Sequence, residues 1–256
     1  MSTLHALIFG LVEGITEFLP ISSTGHLMLT SIVLGLTQTD FLKTFEISIQ
    51  LGAILSVVVL YWRRLLTNWE VMKRIAMAFI PTGIIGFFVY KTVKNLLSNI
   101  SIVPWTLLIG GILLIIFELW HKKRPEVSEQ KLEDISYAKY FLVGVIQSVS
   151  MIPGVSRSAA TIIGGLGLGF SRKNIVEFSF LLAVPTVLAA TGYDLLKNAS
   201  AFSASQFNSL AIGFVASFIT ALLAIKFLMS YIQKHSFIAF GIYRIAIAIL
   251  FLLAIL

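Results

Sequence analysis

The sequence predicts an all-α integral membrane protein, built as an inverted-topology repeat of six transmembrane helices and two re-entrant helix hairpins. Three observations lead there. Hydrophobic residues make up 57% of the 256-residue chain and charged residues only 12%, against about 25% charged in a soluble domain. So little polar surface cannot cover a globule of this size in water, whereas helices in lipid satisfy their own backbone polar groups. The apolar residues also fall into runs near the ~20 residues that a spanning helix needs. Finally, two further apolar stretches are broken at their centres, and the order of elements repeats.

The first broken stretch is His5–Leu36, interrupted by Pro20, Ser22, Ser23, Thr24 and Gly25. Its centre is too polar to face lipid, which fits a helix–loop–helix that enters the membrane and turns back with its loop inside protein. Spans are expected at Phe45–Trp62, Ile75–Val93 and Pro104–Trp120. A polar linker, HKKRPEVSEQKLED, follows at His121–Asp134. The second broken stretch is Tyr140–Phe170, interrupted by Pro153, Gly154, Ser156, Arg157 and Ser158, and three more spans follow at Val176–Leu196, Phe207–Leu228 and Phe237–Leu256. The expected organisation is one membrane domain: repeat 1 over 1–120, a cytoplasmic linker over 121–138 and repeat 2 over 139–256.

The halves echo each other in sequence. GLVEGITEFLPISS from Gly10 aligns with GVIQSVSMIPGVSR from Gly144, and FEISIQLGA from Phe45 aligns with VEFSFLLAV from Val176, placing Glu46 opposite Glu177. One hairpin plus three spans per half turns the second copy upside down, so that the broken segments meet near the membrane centre. Basic residues set the orientation. One side carries Arg63, Arg64, Lys73, Arg74, Lys122, Lys123, Arg124, Lys131, Lys139, Arg172, Lys173, Lys226 and Lys234; the other carries only Lys43, Lys91, Lys94 and Lys197. The rich side is expected to be cytoplasmic, with both termini and the mouth of the first hairpin outside. The net charge of +7 therefore marks loops, and nucleic acid is not expected as a partner. The absence of cysteine excludes thiolate chemistry and disulfides. No cleavable signal peptide stands out, because the first residues lack a basic segment and Glu13 and Glu17 interrupt the first apolar stretch.

Ionisable groups inside such hairpins are costly and point to function. In EGITEFLPISSTGH, Glu13 and Glu17 lie one helical turn apart on one face. Two close carboxylates in an apolar setting either share a proton or bind a divalent cation; a helix-packing polar pair is the bland alternative. Ser22, Ser23 and Thr24 before Gly25 and His26 form a hydroxyl-rich turn opening a helix, suited to an anion or simply to N-capping. His26 offers a general acid or base, or a packed, hydrogen-bonded ring. In PGVSRSAAT, Arg157 between Ser156 and Ser158 offers a planar fork that fits a phosphate, or a structural ion pair with Glu13 or Glu17. Arg244 snorkels or pairs with Glu118 or Glu177. Glu46 and Gln50, one turn apart, line the site or mark a helix end. Carboxylates, hydroxyls and a guanidinium brought to one point make a phosphoryl-transfer constellation.

At these residues the chain resembles the undecaprenyl-diphosphate phosphatase family, also called bacitracin-resistance proteins, over nearly its whole length. The anchors are EGITEFLPISSTGHL, KTFEISIQLGAILSVVV, PGVSRSAATI, EFSFLLAVP and FGIYR. The resemblance implies six spans, two re-entrant hairpins, an outward-opening site in the cytoplasmic (inner) membrane and a divalent cation, Mg2+ or Ca2+. It implies hydrolysis of undecaprenyl diphosphate to undecaprenyl phosphate and inorganic phosphate, which recycles the cell-wall lipid carrier and protects against bacitracin. The expected site has Glu13, Glu17, Ser23, His26 and Arg157 as catalytic groups, with Glu13 and Glu17 as metal ligands. Ser22, Thr24, Gly25, Ser156, Ser158, Glu46 and Gln50 bind substrate. Ser23 attacks phosphorus, or the same groups activate water. The partners expected are the polyprenyl diphosphate and the bilayer, with a homodimer as an open option. A lipid transporter is the rival class, since it shares the architecture but needs no nucleophile.

Overall fold

The computed structural model describes residues 1–37, 39–97, 101–123, 130–197 and 206–255. Ten α-helices stand among them, without a strand: α1 (Thr3–Thr16), α2 (Ser23–Val33), α3 (Asp40–Leu66), α4 (Trp69–Leu97), α5 (Ile102–His121), α6 (Tyr137–Gln147), α7 (Arg157–Gly167), α8 (Arg172–Lys197), α9 (Phe207–Tyr231) and α10 (Ile238–Ile255). Each half thus runs as two short helices followed by three long ones. Five helices, α3, α4, α5, α8 and α9, are long and apolar enough to cross a membrane, and α10 is a shorter apolar helix. The chain is a multi-pass membrane protein. Five of the six expected spans fall inside one helix; the sixth, Phe237–Leu256, starts one residue before α10, its last residue lies outside the described residues, and α10 is not among the five helices long enough to cross. At ~1.5 Å per residue, the 11-residue α2 and α7 reach about half of a ~30 Å hydrocarbon layer.

The surface is inverted relative to a soluble protein. Phe87, Phe88, Ile116, Leu223, Phe227 and Leu253 are exposed, while Glu13, Gln147, Glu118 and Arg244 are buried. Lipid solvates the apolar rim, and the polar groups find each other inside.

The repeat is visible in fine geometry. Ser22 and Ser156, aligned in the sequence, cap α2 and α7; both adopt left-handed φ, 71° and 77°, a conformation that costs a non-glycine residue about 1–3 kcal/mol. The Oγ of each accepts from the amide three residues on, Gly25 and Ala159, which recovers part of that cost. Each short helix then ends the same way, at Leu34 and Leu168, before left-handed Gly35 and Gly169. The halves also interlock: α1 packs on α9, α6 on α4, and α5 on α10. Gly10 and Gly144, again aligned, make the first two contacts possible. A Cβ on Gly10 would overlap the Gly213 carbonyl, and one on Gly144 the Ala78 carbonyl. Small residues at membrane-helix crossings let backbones approach in this way.

At one end, the basic residues named above gather with acidic partners. Arg64 Nε lies 2.7 Å from Glu177, Arg74 pairs with Glu70 at 2.8 Å and reaches the Glu133 carbonyl, and Arg172 clasps Glu118 at 2.6 and 3.1 Å. Part of the expected linker, 124–129, lies outside the described residues.

These pairings correct the expectation for Arg244. It neither snorkels nor meets Glu118 or Glu177. Arg244 is fully buried and donates to five backbone carbonyls: Leu107 (3.4 Å), Thr106 (3.2 Å), Pro20 (3.3 Å), Gly154 (3.0 Å) and Val155 (2.9 Å). Pro20 belongs to the first hairpin turn, Gly154 and Val155 to the second. The physical reason is the turn itself: a break between helices inside the protein leaves carbonyls without amide partners, and a guanidinium carries five donors. Gly110 leaves the room for it, since a Cβ there would overlap the guanidinium. Arg244→Met should orphan these carbonyls at about 1–3 kcal/mol each. The thermal unfolding midpoint in detergent should fall by at least about 5 °C, and by more than in Lys73→Met, whose ion pair with Glu70 is exposed.

Candidate active site

The two hairpin turns meet back to back. Arg157, the first residue of α7, reaches across to Glu17, just past the end of α1: Nη2 donates to Glu17 Oε1 at 3.1 Å, with both side chains about nine-tenths buried. Its Nη1 donates to the Ser179 carbonyl of α8 at 2.7 Å. Beside it, Ser158 Oγ donates to the Phe18 carbonyl at 2.8 Å, a direct bond between the two hairpins. Ser23, the first residue of α2, donates its hydroxyl to the other oxygen of Glu17 at 2.5 Å. One carboxylate therefore joins a hydroxyl from its own hairpin and a guanidinium from the opposite one. The expected ion pair of Arg157 forms with Glu17 and not with Glu13.

Two buried groups beside this pair have nothing to bind. Arg157 Nε finds no acceptor, and neither oxygen of the fully buried Glu13 finds a donor, among the described residues. Glu17, Glu46 and Arg157 are the charged groups close enough to act on Glu13 electrostatically. An uncompensated buried polar group is expensive. The orphan donor and the orphan carboxylate are the groups that could take an anion and a cation. No cluster of three or more His, Cys, Asp or Glu able to hold a metal occurs among the described residues. A divalent ion would rest on Glu13 and Glu17, and two carboxylates completed by phosphate oxygens suit Mg2+ in particular.

The remaining expected site residues take varied positions. Ser22 and Ser156 are buried with their hydroxyls committed as caps. Ser158 is buried and spent on the hairpin-to-hairpin bond. Gly25 is buried against Val103 and Leu107 of α5, and Thr24 is half-buried beside it. Glu46 accepts from Ser31 Oγ at 3.3 Å, and Gln50 is half-buried one turn further along α3. His26 is buried with both ring nitrogens engaged: Nδ1 with the Ser22 carbonyl at 2.7 Å, Nε2 with the Tyr243 hydroxyl at 2.9 Å. It bonds to neither Ser23 Oγ nor Glu17. Sequence reasoning gave no role to Ser179 or Tyr243. Ser179 acts through its carbonyl, which no residue type signals, whereas Tyr243 stands in the FGIYR anchor.

The comparisons with known proteins agree with one another. The chain matches the family described as bacitracin resistance protein BacA over residues 6–250. It is similar to proteins named undecaprenyl-diphosphatase. The one from Sulfurihydrogenibium sp. is 55% identical over 253 residues, 99% of each chain, and that from Aquifex aeolicus is 51% identical over 98% of each. The one from Wolinella succinogenes is 50% identical, again over 98% of each.

If Glu13 is an orphan kept for binding, its replacement should relieve the empty protein. Glu13→Gln, nearly isosteric and uncharged, should raise the thermal midpoint in detergent without added metal by about 2 °C or more. Glu17→Gln, which breaks a satisfied pair, should lower it.

Proposed function

The chain belongs to the bacitracin resistance protein BacA family, and from that membership and the cross-hairpin cluster we infer that it hydrolyses undecaprenyl diphosphate to undecaprenyl phosphate and inorganic phosphate. The observation that carries the chemistry is the double use of Glu17, held by Arg157 at 3.1 Å and by the Ser23 hydroxyl at 2.5 Å. A hydroxyl whose proton already points at a carboxylate is a nucleophile with its base in place.

The diphosphate lies between the hairpins, with the orphaned Arg157 Nε donating to its terminal phosphate. The first amides of α2 add donors of positive partial charge. Ser23 Oγ attacks the terminal phosphorus and its proton passes to Glu17. The bond from that phosphorus to the bridging oxygen breaks, and undecaprenyl phosphate leaves with the electron pair. Water then attacks the phosphoserine, inorganic phosphate departs, and Ser23 recovers a proton. A divalent cation held by Glu13 and Glu17, when bound, neutralises phosphate charge. The isoprenoid tail runs into the lipid-facing surface of the bundle.

The topology that suits this reading has six spans, α10 included, and two re-entrant pairs, α1–α2 and α6–α7, in inverted orientation. The end carrying Arg64, Arg74 and Arg172 faces the cytoplasm, as the concentration of basic residues there favours. The termini then lie outside and the site opens outward, where used carrier lipid accumulates. A homodimer is compatible with this arrangement.

Purified protein in detergent should release phosphate from undecaprenyl diphosphate, which a transporter would not do. Arg157→Ala should lower kcat/KM by roughly a hundredfold to a thousandfold. EDTA should abolish turnover, and added Mg2+ or Ca2+ should restore it in the wild type but not in Glu13→Gln. With terminally labelled substrate, acid quenching should trap label on Ser23 and none in Ser23→Ala. An active wild type without trapped label would assign direct attack by water.

A further inference from the structure

His26 and Tyr243 form a pair that the phosphoryl-transfer chemistry above does not use. Their rings lie parallel, 4° apart in plane with centroids at 5.5 Å, and Tyr243 Oη is 2.9 Å from His26 Nε2. The direction of the bonds follows from the acceptor at the other end. A carbonyl only accepts, so His26 Nδ1 carries the proton given to Ser22 O at 2.7 Å. In the neutral ring Nε2 is then the lone-pair nitrogen, and the Tyr243 hydroxyl donates to it. The chain runs one way: Tyr243 O–H to His26 Nε2, His26 Nδ1–H to the Ser22 carbonyl.

The Ser22 carbonyl and the Ser23 amide belong to one planar peptide unit. That amide is among the first N–H groups of α2, which have no acceptor within the helix. A donor on the carbonyl polarises the whole unit and makes the amide a stronger donor; each added link strengthens the next.

The second hairpin supplies an internal control. Ser156 has the same left-handed turn as Ser22, and in both the amide four positions on donates to the serine carbonyl, Ala160 at 3.0 Å and His26 at 3.3 Å; only at Ser22 does an imidazole add a second donor. The backbone therefore adopts this turn without an imidazole. What differs is the next residue: Arg157 brings its own charge to the site, whereas Ser23 is neutral. The imidazole and phenol occur on the hairpin whose anion donors are backbone amides.

We propose that Tyr243 is a positioning residue of the site, acting through His26 to orient and polarise the Ser22–Ser23 peptide toward the terminal phosphate of the substrate. The proposal rests on the hydrolase reading. It also gives His26 a role other than proton transfer at the reacting atoms. The polarised amide tightens on the phosphoryl group as charge shifts in the transition state, so the effect falls on kcat more than on KM.

The test uses purified full-length protein in detergent with undecaprenyl diphosphate. Tyr243→Phe keeps the ring and removes only the hydroxyl; kcat should fall about tenfold with KM changed less than twofold. His26→Ala recreates the Ala160 arrangement, so it should fold, and a thermal melt checks that it does. In the His26→Ala background, Tyr243→Phe should cost nothing further. Nitrogen-15 histidine spectra, with the His26 signal assigned by its loss in His26→Ala, should show the Nδ1–H tautomer in the wild type and a shifted Nε2 resonance in Tyr243→Phe. Wild-type kcat in Tyr243→Phe, an undiminished loss in the His26→Ala background, or an Nε2–H tautomer would each overturn the proposal. A wild type that releases no phosphate would instead overturn the hydrolase reading, and the spectra would still decide whether the hydrogen-bond chain exists.

Discussion

The structure depends on one constraint: two short-helix pairs are broken by turns buried in the protein, and backbone groups freed by the breaks find partners in protein. Lipid offers no hydrogen bonds, so each turn has to find partners in the other. Ser158 binds the Phe18 carbonyl, and Arg244 collects carbonyls from both turns and from α5. The breaks are what bring Glu17 and Arg157 within 3.1 Å. The same features that make a broken helix costly in lipid, bare amides and left-handed turns, are those that suit an anion.

The halves have kept the scaffold and divided the chemistry. Ser22 and Ser156, and Gly10 and Gly144, hold equivalent positions and make equivalent contacts. At the equivalents of Glu13, Glu17 and Ser23 stand Gln147, Met151 and Arg157. Gln147 is buried and satisfied: its amide nitrogen donates to Thr82 at 3.1 Å and its oxygen accepts from Thr161 at 3.1 Å. Glu13, in the equivalent place, lies close to the Glu17 carboxylate and has no donor on either oxygen among the described residues. The second hairpin contributes a frame with one cation, and the first contributes two carboxylates and the Ser23 hydroxyl. Each half alone would hold an uncompensated charge.

Much of this was legible in the sequence, for physical reasons that differ by residue. The spans follow from length and apolarity, and the hairpins from polar residues at the centre of apolar runs. Convergence of Glu17 with Arg157 is expected from the repeat, since two copies of one plan can bring like segments together. The environment of Arg244 was not legible. Its partners are carbonyls, which every residue carries, so no side-chain pattern points to them, and the carboxylates that attract attention, Glu118 and Glu177, are taken by Arg172 and Arg64. His26 reads as an acid or base by residue type. Only the geometry shows its ring engaged on both sides.

The cross-hairpin contact can be measured directly, because the chain has no cysteine. Glu17→Cys and Arg157→Cys together, treated in native membranes with a short bifunctional thiol reagent, place a link between the two halves. Proteolysis at a site engineered into the polar linker then separates the halves unless the link has formed. Halves that stay joined in the double variant, and part in either single variant, are the result expected if the carboxylate and the guanidinium share one cavity. Halves that part in the double variant, with both thiols shown to be reactive, would contradict it.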